Sequence, residues 1–164
     1  MLKLIGACLI IGASTVWGFF EADKLWRRKE KLEQILFSLK LMENEVVYGK
    51  RDIKSVLSSI GYSLDISYLV YGAENIERQG IKTALCEAVD KYEKDILGTD
   101  KETLKILWEN LGMTDSASQV KAIRHVRGIL EEAKSVAEGE YAKLGKLKRG
   151  MGFLGGVFAV ILLL

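Results

Sequence analysis

From Leu25 onward, Leu25, Leu32, Ile35, Leu36, Leu39, Met42 and Val46 recur at helical spacing, with charged side chains between them. Apolar residues spaced three and four apart line one face of a helix, so the pattern predicts an amphipathic helix. The residues before it, Leu4 to Phe20, are a run of 17 without a charge. One helix can run through both stretches as far as Tyr48, with Gly49 as its stop. Asp52 is placed to cap a short second helix carrying Ile53, Val56, Leu57 and Ile60, closed by Gly61. A third helix is expected from Leu64 to Arg78, ending at Gly80. A fourth is expected from Lys82 to Ile96, with Leu85, Ala88, Val89 and Tyr92 inward and Gly98 as its end. Thr99 and Glu102 form a T-x-x-E capping box before Leu104, Leu107, Trp108 and Leu111, with Gly112 as the stop. Ser116 and Gln119 form a second box. It opens a long stripe of Val120, Ile123, Arg127, Leu130, Ala133, Ala137, Tyr141, Leu144 and Leu147. Arg127 interrupts that stripe and must snorkel or pair. Strand-like alternation persists nowhere. The fold class expected is all-α, a bundle of about six helices whose first and last members extend into hydrophobic segments.

The two ends differ in length. As a helix, Leu4 to Phe20 spans roughly 25 Å, and Leu2 and Lys3 extend it toward the ~30 Å core of a bilayer. Trp17, Phe19, Phe20 and Trp26 suit one headgroup level. A cleaved signal peptide is the competing reading, but the run is long for one and no clear A-x-A site precedes the charges. Ile5-Gly6-Ala7-Cys8 resembles a lipoprotein box, yet its apolar stretch follows the cysteine rather than preceding it. At the other end, Gly150 to Leu164 reaches only about 22 Å. We read it as a short second span that thins the bilayer or packs against the first, with a re-entrant or interfacial end as the alternative. The expected division is therefore 1–20 membrane segment, 21–149 helical domain and 150–164 short membrane segment.

Charge gives these ends a direction. All 22 acidic residues lie from Glu21 to Glu140, and all 24 basic residues except Lys3 lie from Lys24 to Arg149. Lys24, Arg27, Arg28 and Lys29 follow the first segment, and Lys143, Lys146, Lys148 and Arg149 precede the second. Basic residues near spans stay in the cytoplasm, so both clusters place the middle there and both termini outside. With 23 basic and 22 acidic residues, the middle is close to neutral and offers no footprint for nucleic acid. The chain has no proline, where average usage would give roughly eight; this suits long helices. Cys8 and Cys86 are read as reduced.

Candidate chemistry is sparse. Gly150-Met151-Gly152-Phe153-Leu154-Gly155 matches G-x-G-x-x-G, but a dinucleotide site needs a preceding strand and a βαβ unit. The better use of these glycines is Gly152 and Gly156, whose G-x-x-x-G spacing permits close helix packing in a bilayer. His125 is the single histidine, so triads and multi-histidine metal sites cannot form within one chain; it reads as a surface residue. Cys86 reads as a small core residue. Glu43 and Glu45 are two apart and point to different helix faces, which argues against a catalytic pair. No Walker motif, H-E-x-x-H or G-x-S-x-G occurs. The expectation is a non-enzymatic chain with no cofactor, no metal and no small-molecule substrate.

Three stretches carry a resemblance: Met1-Leu2-Lys3-Leu4-Ile5-Gly6 opening the segment to Trp17-Gly18-Phe19; Leu39-Lys40-Leu41-Met42-Glu43-Asn44-Glu45-Val46-Val47-Tyr48-Gly49; and Leu111-Gly112-Met113-Thr114-Asp115 with Gln119, followed by the long helix and Gly155-Gly156. In order and layout, across essentially the whole chain, they resemble the stage III sporulation protein AB family of endospore-forming bacteria. One departure is local: the family often has proline after the tyrosine-glycine, where this chain reads Lys50-Arg51-Asp52-Ile53. The resemblance implies a likeness to the cytoplasmic helical domain of type II secretion and type IV pilus platform proteins. It implies a place in a transenvelope complex between mother cell and forespore, in the mother-cell membrane around the forespore. The implied partners are a secretion-type ATPase and other membrane subunits. Glu43, Glu45, Asp115 and Gln119 fall in the matching stretches and are the candidate contact residues; helix capping and a solvated face are the plainer roles for them. The runner-up reading is a membrane-anchored adaptor or regulator unrelated to secretion.

Overall fold

A computed structural model describes residues 2–48, 52–111 and 115–163. Six helices account for nearly all of them: α1 (Leu2–Tyr48), α2 (Ile53–Ser63), α3 (Ser67–Gln79), α4 (Ile81–Tyr92), α5 (Gly98–Asn110) and α6 (Ser116–Leu163). No strand occurs among the described residues. The expected stops at Gly49 and Gly112 lie outside them.

Packing divides the chain into two units, one of Met1–Lys29 with Ser135–Leu164 and one of Glu30–Lys134. In the middle unit, the apolar stripes converge as their spacing requires. Leu32, Ile35, Leu39 and Met42 of α1 are fully buried, as are Leu57, Leu69, Leu85, Leu104, Leu107 and Trp108 of α2 to α5. Val120, Ile123, Val126 and Leu130 supply the face of α6. Removing side chains of this size from water is worth about 1.5–3 kcal/mol each, which holds short helices that would be marginal alone.

Several boundaries differ from the expectation. Gly61 does not close α2. It lies inside the helix, where an added Cβ would come within 3.0 Å of the Val70 nitrogen, so it serves the close approach of α2 and α3. The third helix starts at Ser67 rather than Leu64, because Asp65 turns into the left-handed region at φ 53°, which aspartate tolerates. Gly80, at φ 78°, ends α3 as expected. The fourth helix stops at Tyr92, with Glu93 as C-cap, and Gly98 opens α5 rather than ending α4. The Thr99–Glu102 box does not form. Asp100 instead accepts a hydrogen bond from the Leu97 amide at 3.1 Å, and Glu102 pairs with Lys105 at 2.9 Å. A carboxylate at the third helical position starts the helix two residues earlier. Likewise Asp115, not Ser116, caps α6, accepting from the Ser118 amide at 3.3 Å and its hydroxyl at 2.7 Å.

The end unit packs on a different principle. The stripe drawn through Tyr141, Leu144 and Leu147 is not its inner face: Leu144 and Leu147 are exposed, and Ala137, Gly145, Gly156 and Val160 are buried. Opposite them on α1, Gly18 and Ala22 are buried. Small residues let two helix backbones approach, and large ones are turned outward. One helix, α1, carries an apolar stretch long enough to cross a membrane.

Candidate functional site

In the middle unit α1 and α6 run antiparallel, as the partners show. Glu43 pairs with Arg124 and Arg127, and ten residues back along α1, Glu33 pairs with Lys134 at 3.5 Å. The α1 C-terminus and the α6 N-terminus therefore lie at one end of this unit. Glu43, Glu45, Asp115 and Gln119 all belong to that end.

Their surroundings separate them. Glu43 is buried, with one oxygen on Arg124 Nε and the other on Arg127 Nη1, both at 2.5 Å. The hydrogen bond from Arg124 and the charge of the two guanidinium groups hold its carboxyl below the usual range. Charge-assisted bonds to arginine are among the stronger polar contacts a surface offers. Glu43 is thus a clasp between α1 and α6, and Arg127 breaks the apolar stripe in order to reach it. Asp115 is exposed and occupied as a cap, and its Ser118 hydrogen bonds lower its pKa. The Gln119 backbone amide donates to the Asp115 carbonyl at 3.0 Å, and its side chain, like that of Glu45, is half-buried.

A buried polar group that periodicity does not mark lies beside this core. Glu93 is 1% exposed, and among the described residues its carboxylate oxygens make no hydrogen bond beyond the Lys31 ion pair. Lys31 Nζ lies 3.2 Å away as its ion pair. Burial pushes the Glu93 carboxyl up, and Lys31 only partly offsets this. Trp108 Nε1 is buried without a hydrogen-bond partner among the described residues, and its ring centroid lies 6.2 Å from that of Tyr68, which is buried as well. Burial, then the charge of Glu93, raises the Tyr68 hydroxyl. The signal available in the sequence was a glutamate at the end of an amphipathic helix, which is also what an ordinary surface position looks like.

Cys86 is half-buried rather than a core residue. It lines a groove of about 370 Å³ between α4 and α5 with Lys82, Asp90, Lys105 and Glu109. Burial, then Glu109, pushes its thiol up, opposite to what a nucleophilic cysteine needs. His125 is exposed on α6, and Cys8 is exposed on α1.

In the end unit Gly152 and Gly156 sit at the closest approach of α1 and α6. A Cβ on Gly152 would come within 2.7 Å of the Ser14 carbonyl oxygen and 2.9 Å of Gly18 Cα; one on Gly156 would come within 2.9 Å of Ile11 Cα. The Ser14 hydroxyl donates to the Gly152 carbonyl at 2.5 Å. At the charged edge of this unit, Arg28 pairs with Glu140 at 3.0 Å and Lys148 with Glu21 at 3.2 Å.

The stage III sporulation protein AB family model matches residues 3–164. Stage III sporulation protein AB of Bacillus subtilis (strain 168) is 32% identical over 173 residues, covering all of both chains. A solved structure titled stage III sporulation protein AB (SpoIIIAB) superposes with a TM-score of 0.64 at 23% identity, covering 70% of this chain and 96% of that one; that likeness concerns the fold. On the full-length match, the chain belongs to the stage III sporulation protein AB family and has a role in sporulation.

Proposed function

We propose that the chain is a non-enzymatic, membrane-anchored platform subunit of a secretion-like transenvelope complex used in endospore formation, and that it docks a cytosolic secretion-type ATPase. The observation that carries this reading is a compact helical unit, Glu30–Lys134, flanked on both sides by apolar helical stretches in a chain of this family. Two flanking stretches that enter the membrane tether the unit at both of its chain ends, which suits a fixed seat for a motor. The basic clusters Lys24–Lys29 and Lys143–Arg149 support a cytoplasmic middle and extracytoplasmic termini, in the mother-cell membrane facing the forespore. Other membrane subunits would meet the apolar ends, and Gly152 and Gly156 would set the packing of the two spans against each other. Glu45, Asp115 and Gln119 are the proposed contact residues, at the end of the middle unit where the α1 C-terminus and the α6 N-terminus lie. Glu43 would act there indirectly, by holding α1 and α6 in place.

The test is crosslinking in sporulating cells, followed by membrane extraction in mild detergent and identification of co-purified proteins. A secretion-type ATPase is expected, and its recovery should fall when Glu45, Asp115 and Gln119 are replaced together by alanine. Recovery of the chain with neither an ATPase nor a secretion-like subunit would sink the platform reading and leave an anchored adaptor.

A further inference from the structure

We infer that the end unit binds an anionic phospholipid, with Arg149 holding the headgroup phosphate. This inference rests on the proposed membrane anchoring. The site is a hollow of about 320 Å³ lined by Val16, Phe19, Phe20, Asp23 and Arg149. Its wall is apolar and aromatic on one side and cationic on the other. That is the chemistry of a lipid near its glycerol backbone, with chain below and phosphate above.

The charges around the hollow are not balanced internally. Asp23 is paired with Arg27 at 2.8 Å, and Glu21 is shared between Lys24 and Lys148. Arg149 has no carboxylate partner among the described residues. Its guanidinium carbon instead stands 5.5 Å from the centre of the Phe19 ring. A guanidinium that meets only a ring face leaves its N–H donors for another ligand. Those donors match a phosphate in forked geometry. Lys143 and Lys146, also exposed and without ion pairs among the described residues, precede Arg149 at three-residue steps. Two such steps of α6 cover about a third of its circumference, so the cations form one flank. Val16, Phe19 and Phe20 are each more than half exposed and need an apolar neighbour such as an acyl chain. Basic residues at the cytoplasmic edge of spans recognise anionic headgroups in this way.

The test uses tryptophan emission from the full-length chain, since Trp17 lies among the lining residues of α1 in sequence and Trp26 follows them closely. The chain is reconstituted into phosphatidylcholine vesicles containing the same small fraction of either brominated phosphatidylglycerol or brominated phosphatidylcholine. Brominated phosphatidylglycerol should quench more strongly, corresponding to a preference of roughly fivefold in lipid exchange. Arg149→Gln should bring it to the phosphatidylcholine level, and Arg149→Lys should restore part of it. Equal quenching by the two lipids, or an unchanged preference in Arg149→Gln, overturns the lipid site while leaving the anchoring intact. Absence of quenching by either lipid overturns the anchoring, and the site with it.

Discussion

Glu43 and Glu93 are both buried carboxylates in the middle unit, and their surroundings drive them in opposite directions. Glu43 has two arginines on its oxygens, so its pKa lies below the ordinary 4.5. Its contribution to stability is complete above the unfolded value and is lost as pH falls through the folded one. Glu93 is desolvated against one lysine, and its pKa lies above 4.5. Ionised, it costs stability above its folded pKa, and that cost disappears as pH falls toward the unfolded value. Urea midpoints measured across pH should therefore rise from neutral into mild acid and fall again at lower pH. Glu93→Gln should raise stability at pH 7 and flatten the rise, because the amide has no charge to desolvate. Glu43→Gln should cost about 1–2 kcal/mol at pH 7 and remove part of the acid fall. If Glu93→Gln destabilises instead, Lys31 depends on the charge more than its geometry suggests. Of this polar set, only Arg127 was legible in the sequence, because a charge in an apolar stripe demands a partner. Which residue answers it, 84 positions away, depends on how the helices pair, and periodicity carries no information on that.

At the scale of elements, all six helices could be read from periodicity, since each needed an apolar face for the same core. Their ends were less legible. A Thr-x-x-Glu pattern at Thr99 competed with an unremarkable Leu97-x-x-Asp100, and the carboxylate that could reach back to a free amide won. The glycines divide in the same way. Gly80 ends a helix with a positive φ, whereas Gly61 and Gly152 sit inside helices because a neighbouring backbone leaves no room for a Cβ. Gly80→Ala should cost about 1 kcal/mol through backbone strain alone. Gly152→Val should do something different, since both nearest atoms belong to backbone and α1 and α6 must separate. In detergent, Gly152→Val should make 1–29 and 135–164 more accessible to protease while leaving the urea midpoint of the middle unit unchanged. Equal loss in both parts would mean that the glycine supports the whole chain rather than the helix contact.

For the molecule as a whole, the decisive quantity is which side of the membrane each part occupies. The proposed cytoplasmic middle rests on both basic clusters, whose neighbouring apolar stretches are unequal: α1 has one long enough to span, and that of α6 is shorter. The close glycine contacts between the two helices favour a second span, because a short segment gains in packing against its neighbour what it lacks in length. A cysteine added after Leu164, in a Cys8→Ala, Cys86→Ala background, should react with an impermeant thiol reagent in intact protoplasts. A cysteine replacing the exposed Ser59 should react only after lysis. Labelling of the middle position in intact protoplasts, with the tail protected, would invert the topology and remove the cytosolic motor from reach. Protection of both positions, with the tail still protected from the reagent after lysis, would instead mean that α6 turns back within the bilayer. The middle would then remain cytoplasmic, tethered by one full span, and Gly152→Val would no longer be expected to expose 135–164.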